Sequence, residues 1–436
     1  MRIEKTYHFI GIGGISMSGL ARILLSLGIK VQGSDTAKSN TTKSLEKLGV
    51  KVFYKHNALN LGSAGVVVYT DAIKKDNPEF VAAKQNNLIV LSRAELLEEV
   101  SKRFKKVIAI SGSHGKTTTT GMITEVFKKA SLKPTAHIGG VLKSENSSIV
   151  LGEDKEFFIT EACEYKSNFL HLKPTVGVIL NIEKEHMDYF KTFKNVVSAY
   201  QSFANNCEHL VKYEKVETTH EKTLFYGAKG YNARKVKKQN NGCYCFDCYF
   251  ENKKLFKVKL NVIGKHNIYN ALATIAVAKH FNIDNKTIIK TIEQFSGILR
   301  RFEVIKEKPY IVHDYAHHPS EIESCILATR GFKKDKIVVA FQPHTYSRTQ
   351  SLMPDFEKAF SECDELLIIK TYSAREKYVA QGSARALYNY LKKKHKKVLY
   401  FKSFESAREY LIKTLRKKDT LLVLGAGNID KLARTF

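Results

Sequence analysis

Short apolar runs recur along the 436 residues of this chain and alternate with stretches of helical periodicity. Tyr7–Ile12 reads as an apolar strand, Ser16–Leu27 as an amphipathic helix, and 30–33 as a second strand. Further strands are expected at 51–54, 66–70 and 88–91. Strands that alternate with helices predict a parallel sheet with helices on its faces, so the fold class is α/β.

The charged stretch 98–106 then precedes a new apolar strand, Val107–Ile110. Strands follow near 157–160 and 176–180, the polar, basic segment 231–242 reads as a surface excursion, and an Ala-rich helix is expected from about Asn267 to His280. A break near 296–301 leads to strands at 310–312, 337–341, 365–369, 398–401 and 420–424, again with helices between them. The expected division is therefore three α/β domains, 1–98, 99–298 and 299–436, each of ordinary domain size.

No run of about 18 apolar residues occurs, so no membrane insertion is expected. The first residues lead straight into a strand without a signal-peptide pattern, which points to the cytoplasm. The formal net charge is +28, and the excess is lysine, 57 Lys against 14 Arg, scattered along the chain. Specific nucleic-acid readers rely heavily on arginine, so no nucleic-acid partner is expected, although a polyanionic substrate would profit from the field. Of seven cysteines, only Cys243, Cys245 and Cys248 cluster. Zinc would need a fourth ligand, and a strand with every second Cys on one face is the simpler reading.

The strongest chemical signal is the run Ser111-Gly-Ser-His-Gly-Lys-Thr-Thr-Thr-Thr120 between an apolar strand and a helix. Backbone N–H groups of such a turn, with the helix N-terminus, cradle phosphate oxygens. Gly112, Ser113, His114, Gly115 and Thr118 would shape that cradle. Lys116 would neutralise β- and γ-phosphates, and the Thr117 hydroxyl would meet Mg²⁺. Earlier, Gly11-Ile-Gly13-Gly14-Ile-Ser16 resembles a dinucleotide loop, with Ser34 and Asp35 ending the next strand. Ser16 stands where the third glycine belongs, so either NAD or the diphosphate of another nucleotide fits. Glu161 and His186 follow apolar strands beyond the phosphate loop, where ligands of a nucleotide-bound metal originate.

Taken together, GSHGKTTTT, FITEACEYKSNFL, NIEKEHMDYF, GKHNIYNALATIA, GILRRFE, HDYAHHP, FQPHTYSRT and LGAGNI occur in order and span residues 8–434 with the N-terminal HFIGIGGISMSGLA and the LSRAELL segment. This series resembles the Mur ligase family. The resemblance implies a Rossmann-like UDP-binding domain, a central phosphate-loop ATPase domain with a mixed sheet, and a Rossmann-like C-terminal domain. It implies ATP-dependent joining of an amine to a carboxylate through an acyl phosphate, with ATP and Mg²⁺ as cofactors. The N-terminal loop and the EACEY segment favour UDP-N-acetylmuramic acid and L-alanine as substrates. A family relative that attaches a peptide instead of alanine, and a dehydrogenase built on Gly11–Ser16, are the competing readings.

Residue by residue, the resemblance gives Lys116, Glu161, His186 and Arg301 catalytic parts, with Thr117, Glu161 and His186 toward the metal. Asn267, Asn270, Arg301 and Asp314 match nucleotide contacts. Gly11, Gly13, Gly14, Ser16, Ser34 and Asp35 match the UDP-sugar site, and His317, Tyr346 and Arg348 the amino-acid site. Two positions depart from the pattern: Thr345 stands where relatives often carry a second arginine, and Gln201 where sister ligases carry a carbamylated lysine. No carbamate bridge is expected.

The broken glycine pattern carries a direct test. Calorimetry should show binding of UDP-N-acetylmuramic acid and none of NAD, whereas tight NAD binding alone would support the dehydrogenase.

Overall fold

In the computed structural model, which describes residues 4–436 except 72, 334, 375 and 396, the alternating pattern resolves into three sheets. The first comprises β1 (Thr6–Ile10), β2 (Val31–Ser34), β3 (Lys51–Phe53), β4 (Ala64–Tyr69) and β5 (Ile89–Ser92) in the order β3-β2-β1-β4-β5. Every pairing in it is parallel. The strand order reverses between β1 and β4, the switch point where open α/β sheets bind ligands.

The second sheet has ten strands, with β6 (Lys106–Ser111) near its middle. It is mixed: β6 runs parallel to Phe157–Glu161 and Val176–Ile179, while Thr135–Leu142 and Ser147–Val150 form an antiparallel pair. The basic segment expected to leave the surface is instead the strand Tyr231–Lys238 of this sheet. Only its first two residues are buried, so lysines on its exposed part mask the strand pattern. Cys243 precedes the next strand, Tyr244–Phe250, which carries Cys245 and Cys248; these two are three apart and so point to opposite faces. Cys248 therefore departs from the shared face expected of the three. The third sheet has six strands; Glu303–Glu307 is antiparallel to Tyr310–Asp314 and the other pairings are parallel.

Chain contacts divide the molecule into two compact units. One is Met1–Lys235 with Phe246–Val258 and Ile268–Ser296; the other is Val236–Cys245, Lys259–Asn267 and Gly297–Phe436. The first unit holds both of the first two sheets because they share one core. Tyr7, Phe9 and Leu20 belong to the same buried cluster as Phe158, Tyr200 and Phe203. The helix Ile15–Ser26 makes the junction through Gly19, where a Cβ would lie 2.6 Å from Ile149 Cδ1 and 3.0 Å from His137 Cδ2. The charged stretch expected to separate the sheets begins inside the helix Arg93–Ser101, whose Leu96, Leu97 and Val100 are buried in that core.

One buried carboxylate ties down the first sheet. Glu79, fully buried, accepts from Ser34 Oγ at 2.5 Å and Asn60 Nδ2 at 2.6 Å, and lies 3.4 Å from His8 Nε2. Burial opposes its charge, but bonds from His8, Ser34 and Asn60 prevail and hold its pKa down at about 2. Because the folded value is depressed, this stabilisation is complete above the ordinary carboxylate range and fades as pH falls toward about 2. Replacing Glu79 by Ala strands several buried donors and should cost about 3 kcal/mol, readable by urea unfolding at neutral pH. The deficit should shrink as the pH is lowered.

Candidate active site

Phosphate-loop geometry follows from two glycines. Gly112 has φ 137° and Gly115 φ 87°, where side chains are strained, and a Cβ on Gly115 would lie 2.6 Å from Asn270 Oδ1. Gly115 caps the helix Lys116–Lys129, whose first N–H groups have no intrahelical acceptor and so face an incoming anion. Asn181 fixes the loop from the neighbouring strand end. Its backbone carbonyl accepts from Ser113 N at 3.2 Å, its Oδ1 accepts from His114 N at 2.8 Å, and its Nδ2 donates to His114 O at 3.0 Å. Ser113 Oγ accepts from Glu183 N at 2.9 Å. Thr117 is buried beside these groups and Thr118 is half-buried.

Lys116 is the charged centre. Its Nζ donates to the carbonyls of Gly112 and Ser113 and lies 3.0 Å from Glu164 Oε2. Burial alone would lower its pKa, yet Glu164, then Cys163 and Glu185, outweigh burial and raise it. Glu164 is 2% exposed; burial favours its neutral form, but Lys116 and His186 keep it ionised and lower its pKa. Glu185 lies beside them, its pKa raised mainly by burial.

One metal-ready group emerges among the described residues: Glu164, Glu185 and His186 offer donor atoms all within 4.8 Å of one another. His186 reaches it from a left-handed backbone, φ 55°, with Nε2 3.6 Å from Glu164 Oε1 and its ring centroid 4.8 Å from that of Tyr165. Glu161, expected in this group, is not part of it: its Oε1 accepts from Gly139 N at 2.7 Å at the end of its strand. Glu164 and Glu185, which no sequence pattern singled out, are part of the group. Gln201 bonds to Asn205 Oδ1 and Thr219 O.

The first sheet's edge is organised by Asp35, whose Oδ2 accepts from Gly13 N at 2.8 Å and whose Oδ1 accepts from Thr36 N at 2.8 Å. Asp35 thus shapes the loop Gly11–Gly14, in which Gly14 N donates to Gly11 O at 3.3 Å. Ser34 is fully buried against Glu79 and His56. Ser34, expected to contact the UDP-sugar, is engaged with these two side chains. Ser16 Oγ contacts His137 Nε2 at 3.1 Å.

Asn270 and Asn267 are both buried near the start of the helix His266–His280, and Asn267 Nδ2 donates to Ile263 O at 2.8 Å. In the second unit, Asp314 accepts from Phe302 N at 2.6 Å and Ala316 N at 2.7 Å, and burial pushes its pKa up to about 6 against the pull of Arg301. The Arg301 guanidinium lies over the Tyr315 ring at 5.1 Å, while Arg300 donates to the carbonyls of Gly425 and Gly427. His317, Arg348 and His344 come together: Arg348 NH1 lies 3.2 Å from His344 Nδ1, and the two histidine rings are 5.8 Å apart. Burial pushes His317 down to about 4, so it is neutral at physiological pH. The Tyr346 and Ser347 N–H groups donate to Glu376 Oε2 at 2.6 and 2.9 Å. His344 and Glu376 had no spacing signal of their own.

A phosphate loop with a charge-paired lysine, flanked on neighbouring strand ends by carboxylates and an imidazole, defines an enzyme that acts on a nucleoside triphosphate. Three family models match in succession: the Mur ligase family catalytic domain over residues 6–105, the Mur ligase middle domain over 110–278, and the Mur ligase glutamate ligase domain over 300–427. The chain belongs to the Mur ligase family. It is 41% identical to the UDP-N-acetylmuramate–L-alanine ligase of Clostridium tetani, covering 100% of this chain and 98% of that protein. Identity to the enzyme of the same name from Clostridium perfringens is 40%, with the same coverage. Among solved structures, UDP-N-acetylmuramate-alanine ligase of Thermotoga maritima superposes with a TM-score of 0.87 at 28% identity, covering 99% of this chain and 98% of that one. A murein peptide ligase from Psychrobacter arcticus shares the fold, with a TM-score of 0.74 at 20% identity over 99% and 98% of the two chains.

Glu185→Gln keeps the shape of the clustered carboxylate and removes its charge. It should raise the Mg²⁺ concentration needed for half-maximal ATP turnover roughly tenfold or more, with the melting temperature nearly unchanged. An unaltered Mg²⁺ curve would place the metal elsewhere.

Proposed function

We propose that this chain joins L-alanine to the carboxylate of UDP-N-acetylmuramic acid at the expense of ATP, in the synthesis of peptidoglycan precursors. The observation that carries this reading is 41% identity, over the full length, to ligases of that activity. In the reaction, a substrate carboxylate oxygen takes the γ-phosphoryl group and ADP leaves. The alanine amine then attacks the acyl carbon, phosphate departs, and the amine loses its proton.

The residues suit a reaction that depends on positioning and charge neutralisation rather than on covalent help from protein. Lys116 and the loop of Gly112, Ser113, His114, Gly115, Thr117 and Thr118 take the phosphates, with Asn267 and Asn270 on the nucleotide. Gly11, Gly13, Gly14 and Ser16, shaped by Asp35, take the UDP-sugar. His317, Tyr346 and Arg348 take the amino acid, whose carboxylate suits the fork of a guanidinium. The donor set of Glu164, Glu185 and His186 fits Mg²⁺, with Thr117 following Lys116 in the loop and Glu161 three residues before Glu164 as further ligand candidates. When bound there, the ion supplies positive charge that screens the nucleotide phosphates from the approaching carboxylate.

No helix among the described residues is long and apolar enough to cross a membrane. A cytoplasmic location, where ATP is made, suits this reaction.

Purified protein given ATP, Mg²⁺ and UDP-N-acetylmuramic acid should release phosphate with L-alanine. Release with a peptide and not with alanine would assign the chain to peptide attachment. Lys116→Met should slow ligation roughly 10²–10³-fold without unfolding the protein. Near-normal turnover in that variant would remove Lys116 from the phosphates.

A further inference from the structure

The amino ends of the third sheet's parallel strands fall in one row, because Thr420 pairs with Tyr310 and Ile337, Val338 with Glu365, and Leu366 with Val398. His317, Tyr346 and Arg348 follow the carboxyl ends of two of these strands, so the row is the opposite edge of the sheet. The segments that lead into the strands are basic. Lys308 precedes Tyr310–Asp314, and Lys333 and Lys336 precede Ile337–Phe341. Lys392, Lys393, Lys394 and Lys397 precede Val398–Phe401, and Arg416, Lys417 and Lys418 precede Thr420–Leu424. Neighbouring strands about 4.8 Å apart spread these groups along roughly 20 Å.

Counter-charges at this edge do not match the cations. Glu365, fully buried, serves both Lys336 and Lys397; Glu357 takes Lys394, and Asp335 lies 3.9 Å from Lys418. Lys308, Lys333, Lys392, Lys393, Arg416 and Lys417 make no ion pair among the described residues. The carboxylates left over are the exposed Glu307 and Glu362, and Asp419, which is buried and committed to Arg416 N at 2.9 Å. A clear positive excess remains. The rim of the edge is apolar on both faces of the sheet. Leu327 and Ile412, 48% and 55% exposed, lie in the last turns of the helices Pro319–Arg330 and Phe404–Thr414. Those helices run toward this edge and pack on opposite faces, through Ile322 and Ile326 on one and Ala407 and Leu411 on the other.

We propose that this amino edge docks the protein on an anionic membrane surface, with its lysines on lipid phosphates, Leu327 and Ile412 at the headgroup boundary, and His317 and Arg348 turned to the solution. A row of ammonium groups suits a fluid layer of phosphates, since a point charge needs no register with its anion. Exposed apolar side chains beside such a row gain from the boundary between headgroups and acyl chains, which a nucleic-acid backbone does not offer. The attachment is peripheral, because no helix among the described residues is long and apolar enough to cross a membrane. Each lysine near such a surface strengthens binding roughly fivefold.

Sedimentation of the full chain with vesicles of equal parts phosphatidylglycerol and phosphatidylcholine tests this. Wild type should sediment with them, stay in solution with phosphatidylcholine alone, and be released by high salt. Lys392→Gln, Lys393→Gln and Lys417→Gln together should weaken binding roughly a hundredfold, with ligation and melting temperature unchanged. A control replaces Lys129, Lys286 and Lys290, exposed lysines of the other unit, by Gln and should bind as wild type does. Equal loss in that control would trace binding to the net charge of +28 and overturn the proposal. Ile412→Gln should weaken vesicle binding roughly fivefold to tenfold and leave any binding of duplex DNA as it was. Failure of wild type to bind the anionic vesicles would also overturn the proposal, as would tighter binding of duplex DNA with the same lysine dependence. If the triple variant does not fold, Lys392→Gln with Lys393→Gln decides by the same comparison.

Discussion

An ammonium group shielded from water needs a counter-charge, and Lys116 has Glu164 at 3.0 Å. Much of the central site depends on that pair. It keeps the lysine charged against burial, turns the carbonyls of Gly112 and Ser113 inward, and holds Glu164 ionised where His186 and Glu185 approach it. Its energy is also conditional. A triphosphate offers the ammonium a second anionic partner, and the exchange would leave Glu164 free beside two other metal-type donors.

Sequence reading succeeded where chemistry is contiguous. The phosphate loop lies within ten residues between a buried strand and a helix, and both neighbours are visible as apolar patterns. The parallel strands of the first and third sheets were legible because burial on both faces demands uninterrupted apolar runs such as Ile337–Phe341. Position by position, the reading failed where solvent exposure hides the pattern, as in the lysine-rich strand Tyr231–Lys238. It was silent where a residue's surroundings depend on what the fold brings near it. Glu161 and Glu164 are both acidic and three residues apart, and only packing shows that the second meets Lys116 while the first bonds to Gly139. Ser34 and Asp35 are adjacent in the fingerprint position, yet one is buried on Glu79 and the other holds the loop. Glu185 was hidden among four charged residues of Glu183–His186, with nothing in the spacing to separate it.

The third sheet shows the same division between scaffold and site. Its apolar strands are regular, while the groups suited to an amino acid lie on the irregular segments that follow them. Thr345 has φ 69°, and the short helix after it is held by the Glu376 carboxylate on Tyr346 and Ser347. Next to Thr345, His344 lies beside Arg348, with its ring stacked on Tyr372 at 5.6 Å. The Arg348 guanidinium is thus steadied by an imidazole.

Gly19 has a consequence beyond packing. By letting the first helix lie directly on Ile149 and His137, it fuses the two sheets that carry the glycine loop and the phosphate loop into a single core. If both loops take anions, the shared core sets the distance between them, as the frame of a gauge sets its jaws. A nucleotide sugar seated on both would then need its acid group the right number of bonds beyond its diphosphate. Selection by length would then come from the spacing of two sheets, with no side chain needed to inspect the sugar itself.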